Sequence, residues 1–109
     1  MKVLVTSEVQ AYMNRLVKIL YEMGYFPFEH TAQKYVKELY DDIKINLPSK
    51  RHKPAPPYYN RYGKGLYYAV FKKNRRTSYY AFFSKYNDSG QTIYLVCYIG
   101  NNHTDAQHL

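Results

Sequence analysis

Histidine is the one side chain whose ordinary pKa, about 6.5, lets it trade protons near neutral pH, and His103 is the best placed of the four in this chain. It closes the run Gly100-Asn101-Asn102-His103 after a β-prone stretch, where a strand end would set it at a rim instead of in a core. A second cluster is Lys72-Lys73-Asn74-Arg75-Arg76, four cations in five residues between two expected strands. A hairpin would gather them at one end of a sheet within reach of a phosphodiester, with Arg75 and Arg76 offering two-pronged contacts that lysine cannot make. The same charges also suit a solvated turn that protects sheet edges. His30, His52 and His108 fall at a helix start, in a proline-rich loop and near the terminus, and are weaker acid-base candidates.

The charge distribution supports a polyanionic partner. Residues 50–85 hold ten Lys or Arg and no Asp or Glu, while residues 1–49 hold six of each sign and cancel, so the net +8 resides on the C-terminal segment. That segment also carries ten of the fifteen tyrosines. A one-signed field on an aromatic-rich surface suits a phosphate chain with stackable bases. Lys50, Arg51, Lys53, Arg61, Lys64 and Arg75 are the expected phosphate contacts. Tyr58-Tyr59, Tyr67-Tyr68 and Tyr79-Tyr80 are adjacent pairs whose rings would point to opposite faces of a strand. One of each, Tyr79 among them, would then be free to stack on a base, worth ~1 to 3 kcal/mol.

Several chemistries lack their parts. Only Asp88 and Asp105 follow residue 49, against the clustered carboxylates of two-metal nucleases. The histidines and the lone Cys97 show no ligand spacing, so no metal and no small-molecule cofactor is expected. Phosphate-loop and nucleophile-elbow patterns are absent. Cys97, among Leu95, Val96 and Tyr98, reads as a small buried hydrophobe. No secretory signal or membrane span stands out, so a reducing cytoplasm is the default and no membrane partner is expected.

The elements that must position these groups form an α+β pattern in one domain, residues 1–109. Val3, Leu4 and Val5 make a short strand. Ser7 and Gln10 suggest a capping box before a helix whose apolar stripe is Val9, Met13, Leu16, Leu20 and Met23, ended by Gly24. Thr31 would cap a second helix with Ala32, Tyr35 or Val36, Leu39, Ile43 and Leu47 buried and Pro48 beyond it. Residues 48–57 hold four prolines and three basic side chains, an ordered basic loop barred from a sheet interior. Residues 66–72, 77–86 and 92–100 then read as a three-stranded antiparallel meander with turns at Asn74 and at residues 87–90. Alternation in the last strand would turn Ile93, Leu95, Cys97 and Ile99 to the helices, leaving a tyrosine-rich face more open.

Strand, αα-hairpin and three-stranded meander at this length and charge resemble the RelE/ParE superfamily of bacterial toxins. The resemblance spans nearly the whole chain. It is most specific in Leu66-Tyr-Tyr-Ala-Val-Phe-Lys-Lys, Thr77-Ser-Tyr-Tyr-Ala-Phe-Phe and Ile93-Tyr-Leu-Val-Cys-Tyr-Ile-Gly-Asn-Asn-His, similar to the family's basic strand, its "G-x-Y-R" strand and its polar or histidine-bearing closing strand. The RelE branch implies a metal-independent endoribonuclease that cuts mRNA on the ribosome by attack of a ribose 2′-hydroxyl on the adjacent phosphate. On this sequence the resemblance implies that Lys72, Lys73, Arg75 and Arg76 would stabilise the phosphate charge, that His103 would be acid or base, and that Asn102 would orient it or contact the RNA. Where the family commonly has Arg after the tyrosine, this chain has Tyr80, which shifts the expected transition-state cation to Arg76. The resemblance also implies an acidic antitoxin partner. Two other readings remain open: a ParE-like toxin that poisons DNA gyrase, and an RNA-binding module without chemistry.

Overall fold

A computed structural model describes residues 1–109. Strand β1 (Lys2–Val5) leads into helices α1 (Ser7–Glu22) and α2 (Glu29–Asn46), followed by β2 (Lys53–Pro54), β3 (Tyr67–Lys72), β4 (Ser78–Asp88) and β5 (Gln91–Asn101). Single 3₁₀ turns occupy Leu47–Ser49, Pro57–Arg61 and Ala106–His108. The strands form one mixed sheet in the order β1-β5-β4-β3-β2, with β1 parallel to β5 and the other pairs antiparallel. The expected meander is β3-β4-β5, but two further strands flank it. β1 docks in parallel beside β5, and the proline loop contributes β2, which lies at the sheet margin, where a missing proline N–H costs no ladder bond. No helix is long and apolar enough to cross a membrane.

The helix ends differ from the capping pattern. Thr6, one residue before the expected Ser7, caps α1 by accepting from the Val9 amide at 3.2 Å. Helix α2 starts two residues before Thr31, with Phe28 as an N-cap that makes no side-chain bond. Gly24 follows α1 as expected, at a φ of +79° that few other residues tolerate. Of the expected α1 stripe, Val9, Met13 and Leu16 are buried, Leu20 is half-buried and Met23 is exposed, the last two lining an open cleft at the sheet end. In α2, Ala32, Val36, Leu39 and Ile43 are buried, with Leu47 just beyond, while Tyr35 is half-buried.

Both helices cover one face of the sheet. Val9, Met13, Leu16, Val36, Leu39 and Ile43 meet Phe71, Tyr79, Phe83, Tyr94, Val96 and Ile99. Ala69 and Ala81 pair across β3 and β4 and keep the middle of this face low, so the helices approach closely. The expected facing of β5 is corrected here. Phe82 pairs with Tyr98 but Phe83 pairs with Val96, so Cys97 is an extra residue, a β-bulge. One inserted residue reverses the alternation. Tyr94 and Val96 therefore face the helices below the bulge and Ile99 does so above it, while Cys97 and Tyr98 join the opposite face.

That opposite face is not left open. Tyr59, from the 3₁₀ turn after the prolines, is fully buried and stacks on Phe82 with ring centroids 4.1 Å apart. Tyr62 stacks on Tyr98 at 3.9 Å, and Leu66 completes a small second core. The C-terminal residues lock onto it through Asp105, the only buried acid. Its carboxylate accepts from Tyr59 (2.9 Å), Tyr98 (3.3 Å), the Asn101 amide (3.0 Å) and the Thr104 hydroxyl (2.8 Å). Gly100 lies directly beneath, where any Cβ would collide with that carboxylate.

Two expectations follow. Asp105→Ala strands the buried Tyr59 phenol at a cost of about 1 to 3 kcal/mol and frees the part-buried Tyr98 phenol and Asn101 amide at a smaller one, and Gly100→Ala costs about 1 to 3 kcal/mol by collision. Thermal melts should show both losses, and the double variant should lose less than their sum because the colliding carboxylate is gone. Burial first, then Asp105, raises the pKa of Tyr59 and Tyr98, and burial followed by a hydrogen bond with Tyr35 raises that of Tyr79. These phenols hold their protons more tightly folded than unfolded. The stability they contribute is therefore complete below the ordinary tyrosine value of 10.0 and is lost as pH rises beyond it. Chemical denaturation from pH 8 to 12 should show a flat midpoint up to about pH 10 and a fall above it.

Candidate functional site

His103 stands on a turn that its neighbours hold from both ends. The Asn101 side-chain oxygen accepts from the His103 amide at 2.9 Å and the Thr104 amide at 3.1 Å, while the Asn101 carbonyl accepts from the Asp105 amide at 2.8 Å. Asn102 ties this turn to the basic hairpin. Its side-chain N–H donates to the Arg76 carbonyl at 2.9 Å, and its oxygen accepts from the Ser78 amide at 2.9 Å. Asn102 is thereby committed to backbone and sets the spacing of two loops, in place of the expected contact with RNA. His103 itself is exposed, with Nε2 3.4 Å from the Thr77 hydroxyl.

The imidazole borders a cleft of about 580 Å³ between the sheet end and the helical hairpin. Leu16, Ile19, Leu20, Met23 and Phe26 form an apolar wall, and Asn74, Thr77, Asn101, His103 and Thr104 supply the polar side. Tyr25, Tyr35 and Tyr79 also line it. Tyr79 is only 3% exposed and belongs to the main core, so the expected base-stacking role falls to other rings. Neighbouring Tyr12 is raised in pKa by burial, opposed by its hydrogen bond with Asn101. A base or peptide side chain entering this cleft would meet hydroxyls and one imidazole at the sheet end and hydrocarbon along the helix.

The cations do not converge as one patch. Lys73 turns toward α2, where its ammonium lies 4.6 Å from the Tyr35 ring centre and 3.9 Å from Glu38. Lys50 lies over Phe71 at 4.9 Å, and Lys85 sits between the Tyr67 and Tyr94 rings at 5.6 and 5.9 Å. The Arg61 guanidinium stacks 3.8 Å from the Tyr58 centre. Lys72, Arg75 and Arg76 remain exposed at the hairpin that Asn102 binds to the His103 turn. Arg51, Lys53 and Lys64 are exposed as well, on and near the β2 margin. The expected grip of four hairpin cations thus reduces to three, because neighbouring strand residues point to opposite faces and Lys73 is drawn to an aromatic ring.

His52, from the proline loop, is structural. Its Nε2 donates to the Leu47 carbonyl at 2.9 Å while its ring packs on Phe83 and Tyr94. Asn101 and Tyr35 were missed as site residues from sequence. Asn101 stood in the motif ending at His103 but gave no sign of bracing the turn, and Tyr35 read only as part of a helical stripe. No three His, Cys, Asp or Glu side chains gather as a metal site.

Asn102→Ala should cost about 1 kcal/mol, the order of a net protein hydrogen bond, since one of its two bonds is exposed and the other part-buried. Hydrogen exchange should quicken at the Ser78 amide, which loses its acceptor, and remain unchanged in α2. No protein-family model matches the chain, and no curated protein or solved structure shows a significant similarity to it.

Proposed function

We propose that this protein is a RelE-like toxin of a type II toxin-antitoxin system, an endoribonuclease that cuts mRNA on the ribosome without a metal ion. The observation that carries the reading is the coupling of His103 to the Arg75-Arg76 hairpin through the side chain of Asn102, beside a cleft of about 580 Å³. In the proposed reaction the ribose 2′-oxygen loses its proton and attacks the neighbouring phosphorus. The bond to the 5′-oxygen breaks, that oxygen takes a proton, and the products are a cyclic phosphate and a 5′-hydroxyl. His103 serves one of the two proton transfers, and Arg76 with Arg75 and Lys72 balances charge on the phosphate oxygens. The exposed Arg51, Lys53 and Lys64 hold the message or ribosomal RNA. An acidic antitoxin would neutralise the +8 chain and cover its exposed apolar residues, including Met23, Tyr25 and Phe28.

A second reading, RNA binding without cleavage, draws on one feature. The side-chain contact of the His103 ring is the Thr77 hydroxyl, with no carboxylate to fix its tautomer. The two readings separate on an mRNA that ribosomes are translating in vitro. Primer extension should reveal new ends with the wild-type protein, and His103→Ala should slow their appearance roughly 10² to 10⁴-fold. Intact transcripts with wild-type protein would favour the binding module. Unchanged cleavage by the variant would remove His103 from the chemistry.

A further inference from the structure

The short β1 leaves a second opening beside the one that holds His103. β1 ends at Val5, opposite Val96, so Cys97, Tyr98 and Ile99 have β4 on one side and no strand on the other. α1 and the Pro57–Arg61 turn stand across this margin and enclose a cleft of about 430 Å³. Arg15 from α1 and Arg61 from the turn both line it. Neither takes part in a salt bridge, since the acids that are paired bind Lys37 and Lys73. Arg61 is held in place without being neutralised. Its Nε donates to the Tyr58 carbonyl at 2.9 Å, and its guanidinium lies on the Tyr58 ring at 3.8 Å. The His108 ring stacks on the same tyrosine at 3.6 Å, and because two groups this close cannot share one face, Tyr58 is sandwiched between them.

Tyr62 supplies a flat surface in the same cleft. One ring face rests on Tyr98 at 3.9 Å and an interplanar angle of 4°, and no other ring centre comes within 6 Å. Tyr62 remains 36% exposed. A part-exposed tyrosine with a ring stacked on one side only, in a cleft also lined by two guanidinium groups free of salt bridges, matches the needs of an aromatic base carrying a phosphate. Glu8, also on the lining, repels a phosphate and accepts from a base amino group, which gives the bound nucleotide a direction.

We propose that this cleft binds one unstacked nucleotide of a single-stranded RNA, with its base on Tyr62 and its phosphate held by Arg15 and Arg61; the inference rests on the RNA reading given above. The two clefts follow one another along β5. Tyr98 lines this one and Asn101 the other, a separation of about 10 Å at ~3.3 Å per residue.

The test is fluorescence anisotropy with the full chain and a fluorescein-labelled hexaribonucleotide whose 2′-O-methyl riboses prevent cleavage. Tyr62→Leu should weaken binding about tenfold or more, the loss of one stacked base. Tyr62→Phe should restore it, since the ring is kept. Arg15→Gln, an exposed helix position that leaves the fold intact, should weaken binding and flatten its dependence on salt. Wild-type binding that neither Tyr62→Leu nor Arg15→Gln diminishes would overturn the nucleotide cleft while leaving the RNA reading in place. A wild-type protein that binds no RNA would overturn both.

Discussion

The buried carboxylate of Asp105 is the contact on which the working end of this protein depends. Four donors from three separate parts of the chain converge on it: the turn after the prolines, strand β5 and the C-terminal residues themselves. Such a charge is tolerated away from water only because its oxygens are satisfied. The lack of a side chain at Gly100 lets the carboxylate settle against the strand. With that anchor made, Asn101 can brace the turn, Asn102 can bridge to the basic hairpin and His103 is presented at a fixed place. An acid absent from the proposed chemistry thus positions the group that would perform it.

The positive charge has two fates. Lys50, Lys73, Lys85 and Arg61 lie over aromatic rings, where their stems cover hydrocarbon and their cations meet the negative face of the ring. They raise the general potential around the molecule but are partly committed to packing. Of the hairpin cations, Lys72, Arg75 and Arg76 are left exposed. This division explains part of why tyrosines and cations share the C-terminal segment: Arg61 and Lys85 lie over its tyrosines, while Arg51, Lys53, Lys64, Lys72, Arg75 and Arg76 stay exposed to meet a ligand.

The sheet margin beside α1 carries the remaining opportunity. A first strand of four residues covers only the lower part of an eleven-residue neighbour, which leaves the upper part of β5 to the helix and to open space. The two clefts occupy this gap in succession. One is walled by the apolar end of α1, the other by its charged beginning, so a single helix gives them different chemistry.

Local pattern in the sequence was enough to fix the existence and order of the helices and of the meander. Spacing of three and four marked Val36, Leu39 and Ile43 as a buried stripe, Gly24 marked a helix end, and four prolines excluded residues 48–57 from the sheet interior. These features act between near neighbours, and near neighbours are what a sequence displays. The facing of β5 was not legible, because a bulge at Cys97 arises from how β4 and β5 match over their length and reverses the alternation without any mark at that residue. Tyr79 and Tyr80 looked alike until the sheet acquired a covered side. The parallel docking of β1, the burial of Asp105 and the split of the cations between rings and solvent were likewise settled only when distant segments met, since each depends on the partner that the folded chain brings alongside.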